Sequence, residues 1–187
     1  MSQEVLSERY VIGYLAPEPV HRLFAGVTAI CQERLGLTPY PGRFGLKTTI
    51  KSPCALGFTK RDEIIECIDE LVEKKELVAV QALLGSVSRF CEPEDVIHLP
   101  VGGVDFLAQT EHILSVLESR GVMRSEYDGV SPHFSFAKNF PAAVGNQMFT
   151  LCADACCMRH RPRMARLDRL VLFDREQKRQ IGAWTLH

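Results

Sequence analysis

Two short segments of this chain each place a proton-binding side chain two residues before a hydroxyl. Ser131-Pro132-His133-Phe134-Ser135-Phe136-Ala137-Lys138 holds His133 and Ser135, and Leu46-Lys47-Thr48-Thr49-Ile50-Lys51-Ser52-Pro53 holds Lys47 and Thr49. In an extended strand residues i and i+2 project to the same face. His133 and Ser135 therefore point one way, and Phe134 and Phe136 point the other way into a core. The same parity sets Lys47, Thr49 and Lys51 against Thr48 and Ile50. Two such polar pairs facing one groove suit a phosphodiester, with two hydroxyls holding the non-bridging oxygens while groups on opposite sides handle protons. Taken alone, His-x-Ser also describes a structural histidine, and Lys47 also reads as a surface lysine on a strand.

The elements that would position these pairs can be read from periodicity. Residues 9 to 16, RYVIGYLA, form a β-prone run, and after Pro17-Glu18-Pro19 the residues Val20, Leu23, Phe24, Val27, Ile30, Cys31 and Leu35 recur at helical spacing. Pro39, Pro41 and Gly42 end that helix, and TTIKS follows as a strand. Thr59 and Asp62 resemble a capping box ahead of a helix whose apolar face is Ile64, Ile65, Ile68, Leu71 and Val72. ELVAVQALLGSVSRF and DVIHLPV read as two strands split by the turn Cys91 to Glu94, and a third helix spans Val104 to Glu118, with Leu107, Ile113, Leu114 and Leu117 inward and Gly121 as its stop. After the strand PHFSFAK, the segments MFTLCADACC, ARLDRLVLFD and QIGAWTLH all read as strands, the last pair joined by the turn Arg175 to Arg179. Short connections among the final strands favour an α+β protein with antiparallel sheets over a doubly wound parallel one.

Composition sets the outer bounds. The chain has 187 residues, 46% apolar and 24% charged, which is the balance of an ordinary globular protein. A net charge of -1 argues against a partner such as duplex DNA gripped through a broad basic field. MSQEVLSERY lacks the apolar core of a signal peptide, and no run approaches a membrane span, so the expectation is a cytoplasmic protein with no membrane partner. Seven irregularly spaced cysteines fit reduced core thiols better than a disulfide framework.

With these strands and helices in order, the chain resembles the two-histidine (2H) phosphoesterase superfamily, which includes 2′,5′-RNA ligase and cyclic phosphodiesterase. The resemblance covers nearly the whole element order, from the opening RYVIGYLAP through the helix after KSP to the closing LVLFD and GAWTL. It implies one bilobal domain over residues 1–187, with two antiparallel sheets lining a central groove and helices packed outside. It also implies that His133 is a catalytic acid or base and that Thr49 and Ser135 bind phosphate. The substrate it implies is a nucleotide or RNA end carrying a 2′,3′-cyclic or 2′,5′-linked phosphodiester, with no metal or cofactor required. Lys47 departs from the family pattern, which has a histidine there. A lysine of ordinary pKa is almost fully protonated at neutral pH, so Lys47 suits neutralising an oxyanion better than cycling protons. Reduced phosphodiesterase activity and non-catalytic binding of a nucleotide or RNA end are the two readings that follow.

Three further clusters have two readings each. Arg159, His160, Arg161, Arg163, Arg166 and Arg169 read as a basic lip that steers an RNA end, with Arg161 and Arg163 as substrate contacts beside Lys51, or as a solvated connection. Tyr10, Tyr14 and Phe44 read as base-stacking residues or as packing, Tyr14 being the candidate substrate contact. Cys152, Cys156, Cys157 and His160 lack the paired Cys-x-x-Cys spacing of a zinc site and read as core.

Overall fold

The computed structural model describes residues 10–51, 61–91, 95–122, 131–158 and 163–187. Strand β1 (Tyr10–Leu15) is followed by helix α1 (Glu18–Leu35), β2 (Lys47–Lys51) and α2 (Arg61–Glu73). Then come β3 (Val80–Leu84), β4 (Ser88–Phe90), β5 (Val96–Gly102), α3 (Val104–Ser119) and β6 (His133–Lys138). A short 3-10 turn, Ala142–Val144, leads into α4 (Gly145–Met158), and β7 (Met164–Leu167), β8 (Arg169–Asp174) and β9 (Arg179–Thr185) complete the chain.

The α+β class and the wholly antiparallel pairing agree with the sequence. Two separate sheets are not seen among the described residues. The strands form one curled hydrogen-bonded path, β7-β3-β5-β6-β2-β1-β8-β9, with β4 also paired to β5. The continuity arises at β5, which pairs with β6 along one edge and with both β4 and β3 along the other. The segment read as one strand from Glu76 to Phe90 is broken between Leu84 and Ser88, so that β4 meets Val96–His98 and β3 meets Val101–Gly102.

Helix ends follow local chemistry. Pro17 precedes α1, and Gly36, at φ 65°, closes it by donating its N–H to Gln32 O. The expected capping residue of α2, Thr59, lies outside the described residues. In α3, Phe106, Ile113 and Leu117 are buried, whereas Leu107, expected inward, is exposed because Phe106 takes the core-facing position.

MFTLCADACC is a helix, not a strand. Met148, Cys152, Ala155 and Cys156 fall at i, i+4, i+7 and i+8, and this buried stripe of α4 packs against α1. Cys157, by contrast, is exposed. The core lies on one side of the sheet and joins Ile12, Tyr14, Phe134, Phe136, Leu170 and Leu172 from the strands to the buried faces of the helices. Trp184 on β9 ties the sheet to α2 by donating from Nε1 to Asp69 Oδ1 at 2.6 Å.

Candidate active site

The site lies on the sheet face that turns away from this core. β2 and β6 are antiparallel neighbours with Thr48 opposite Phe134, both fully buried. Counting outward from that pair puts Lys47 beside Ser135 and Thr49 beside His133, all four on the face turned away from the core, where Ser135 is buried and the other three are half-buried, with Lys47 and His133 as diagonal neighbours about 7–8 Å apart. The strand parity read from the sequence is therefore correct, and the two segments meet on adjacent strands. Gly13 allows β2 to approach β1 closely, since a Cβ there would lie 2.0 Å from Thr48 O. That contact falls at the register irregularity between Ile12 and Gly13.

Lys47 Nζ donates to Thr49 Oγ1 at 2.8 Å, which leaves the threonine proton available for a ligand oxygen. The lysine keeps some contact with solvent, yet its ammonium is densely surrounded by protein. Burial pulls its pKa down to about 8, helped by the charges of Lys138 and Arg175. Among the described residues no carboxylate pairs with Lys47, and its ammonium stands 6.0 Å from the centroid of the Phe173 ring. Lys47, Lys138 and Arg175 together concentrate positive charge here, which favours the approach of an anion.

His133 is half-buried, and its Nδ1 lies 2.7 Å from Ser131 O. A carbonyl only accepts, so Nδ1 carries the proton and Nε2 of the neutral ring presents its lone pair. Burial lowers the His133 pKa to about 4 against the raising effect of that backbone hydrogen bond, with His98, Lys138 and Lys47 lowering it further. The ring is neutral at pH 7 and can accept a proton.

No sequence pattern singled out His98. It is buried directly opposite Ser135, stacks on Phe90 with centroids 3.8 Å apart, and lies 4.9 Å from the His133 ring. On the opposite flank Phe44 stacks on Phe173 at 4.5 Å, covering Val11 and Val171.

The other expected contacts fare unevenly. Tyr14 does not belong to the site. It pairs with Thr48 on the core face, is fully buried against Phe106, and accepts a hydrogen bond at its hydroxyl from Gln109 Nε2 at 2.7 Å. Tyr10 is buried on the same side. Lys51 closes β2, but its side chain lies outside the described part of the structure, as does Arg161. Arg163 is exposed just before β7, three strands from His133. Among the described residues no group of three or more His, Cys, Asp or Glu side chains could hold a metal ion.

The sequence matches no family model and no curated protein. Solved structures do match. TT0787 of Thermus thermophilus superposes with a TM-score of 0.61 at 14% identity, over 95% of this chain and 97% of its own. LigT of E. coli, solved with 3′-AMP, gives 0.57 at 14% identity over 96% and 98%. Usb1 of Kluyveromyces marxianus, solved with uridine monophosphate, gives 0.52 at 15% over 95% and 97%. The chain has the two-histidine phosphoesterase fold. Within this 2H fold the polar pairs Lys47/Thr49 and His133/Ser135 come from the two halves of the chain and meet at the β2–β6 seam. No helix among the described residues is long and apolar enough to cross a membrane.

Proposed function

We propose that this protein is a 2H-type phosphoesterase acting on the 2′,3′-cyclic or 2′,5′-linked phosphodiester of a nucleotide or RNA end, with Lys47 in place of the first histidine. The observation that carries this reading is the meeting of Lys47/Thr49 and His133/Ser135 on one face of the sheet, with the charges of Lys138 and Arg175 close to Lys47. Support comes also from the nucleotides with which LigT and Usb1 were solved.

In this reading Thr49 and Ser135 donate to the non-bridging oxygens. Nε2 of His133 takes a proton from water as the water oxygen attacks phosphorus. The bond from phosphorus to the leaving ester oxygen breaks, and that oxygen takes a proton from Lys47. Burial makes Lys47 a better donor than an ordinary lysine, although a bound phosphate raises its pKa again. The rate is therefore lower than that of a site with two imidazoles, by up to about 10²–10⁴-fold.

The test compares wild type, Lys47→His and His133→Ala on 2′,3′-cyclic nucleotides and 2′,5′-linked oligonucleotides. Turnover by wild type that is lost in His133→Ala supports the enzyme. Turnover by Lys47→His alone makes the natural protein a binder of nucleotides or RNA ends. If no variant binds or cleaves any phosphodiester, the reading is wrong.

A further inference from the structure

The open face of the sheet does not end at the polar pairs, and its two flanks differ. Cross-strand register carries it from His133 to Pro100, then along β5 to Gly102, across to Leu83 on β3, and from there to Met164 on β7, with Gln81 opposite Arg166 alongside. All of these side chains share the face of His133 because directly paired residues project together. β7 lies three strand spacings from β6, or about 14 Å.

On the β1–β8 flank the face is closed by Phe44 on Phe173. On the β3–β7 flank Leu83 and Met164 are each 52% exposed and Arg166 is exposed, with no ion pair among the described residues. Among the described residues, none of the side chains that β7, β3, β5, β6 and β2 present on this face is a carboxylate. Gly102 lies midway, and a Cβ on it would meet nothing within 4 Å.

We infer that the β5–β3–β7 flank is a track for single-stranded RNA, along which a chain leaves the phosphodiester site over Gly102, lies on Leu83 and Met164, and places a backbone phosphate at Arg166. This rests on the phosphodiester reading above and adds to it that the preferred substrate is an oligonucleotide, not a mononucleotide. Two features favour RNA as the occupant. The strip is continuous with an anion site, and it combines apolar side chains, on which bases can rest, with a cation for the backbone.

The experiment measures Kd and KM for a 2′,3′-cyclic mononucleotide and for a short single-stranded RNA ending in the same cyclic phosphate, in wild type, Gly102→Glu and Arg166→Ala. Open space at Gly102 and the exposure of Arg166 make both variants compatible with folding. Wild type is expected to prefer the oligonucleotide by about tenfold or more. Both variants should lose most of that preference, and Arg166→Ala should also reduce the salt slope of oligonucleotide binding by about one. Equal affinity of wild type for the two ligands, or a preference that survives in both variants, overturns the track and leaves the phosphodiester site standing. Failure of wild type to bind either ligand overturns both.

Discussion

The imidazoles of His98 and His133 lie 4.9 Å apart on neighbouring strands, and His98 is held between Phe90 and the sheet. The buried ring of His98 helps keep water from His133, and burial is the main cause of the depressed His133 pKa. His98→Ala should open a polar cavity that water enters, and the His133 pKa should climb from about 4 toward the ordinary value near 6.5. Titration of the His133 ring by NMR in the two proteins reads this directly, and an unchanged titration would assign the depression to other neighbours.

The pH dependence of turnover follows from the two protonation states required. His133 must be deprotonated, so activity rises as pH passes about 4, and Lys47 must be protonated, so activity falls as pH passes about 8. kcat/KM should therefore trace a broad bell between those limits. In Lys47→Arg the alkaline limb should vanish together with most of the rate, since a guanidinium holds its proton.

Lys47 is also a stability cost. Its pKa falls from 10.5 in the unfolded chain to about 8, so between those values the unfolded state binds more protons and stability rises with pH. Below pH 8 the folded chain carries a crowded ammonium without a counter-ion among the described residues. Lys47→Met is expected to stabilise the protein at pH 7 on the order of 1–2 kcal/mol, after allowing for the lysine's remaining solvent contact. The gain should shrink as pH rises from 8 toward 10.5, and urea melts across that range measure it.

Gly13 is required by close approach and not by its φ. Gly13→Ala would drive a methyl into Thr48 O, forcing β1 and β2 apart. A loss of about 1–3 kcal/mol is expected, with a larger fall in phosphate affinity than the stability change alone produces, because β2 carries Lys47 and Thr49. Binding of inorganic phosphate by calorimetry at a temperature where the variant is folded separates the two effects.

The Thr48 hydroxyl is buried without a hydrogen-bond partner among the described residues. Thr48→Val keeps the shape and removes the unpaired polar atom, so a gain of about 1 kcal/mol is expected in thermal or urea unfolding.

What the sequence made legible was local. Alternation in the PHFSFAK and LKTTIKS segments is clean, so the faces of His133, Ser135, Lys47 and Thr49 could be assigned before any pairing was known. In RYVIGYLA and DVIHLPV both faces are apolar, and parity has nothing to discriminate. Tyr14 could be placed on the core side only through its pairing with Thr48, and His98 beside His133 only through the order of β5 and β6. The irregularity between Ile97 and His98 also breaks the count along β5. MFTLCADACC is apolar enough to pass for a strand, and the deciding fact, its contact with α1 more than a hundred residues earlier, is tertiary.

The seam between β2 and β6 also governs when the site can come into being. Lys47 and His133 are far apart in the chain, and β1, which supports β2, is itself closed on its other edge by β8, more than 150 residues later. Contacts of such long sequence separation form late, because the loop they close must be ordered first. A nascent chain released before His133 holds only the Lys47/Thr49 half of the two polar pairs. One that ends before Arg169 leaves β1 with an open edge directly behind the strand that carries Lys47. The paired Lys47/Thr49 and His133/Ser135 segments thus come together only once β6 has been made, and β1 behind them is closed only once β8 has been made.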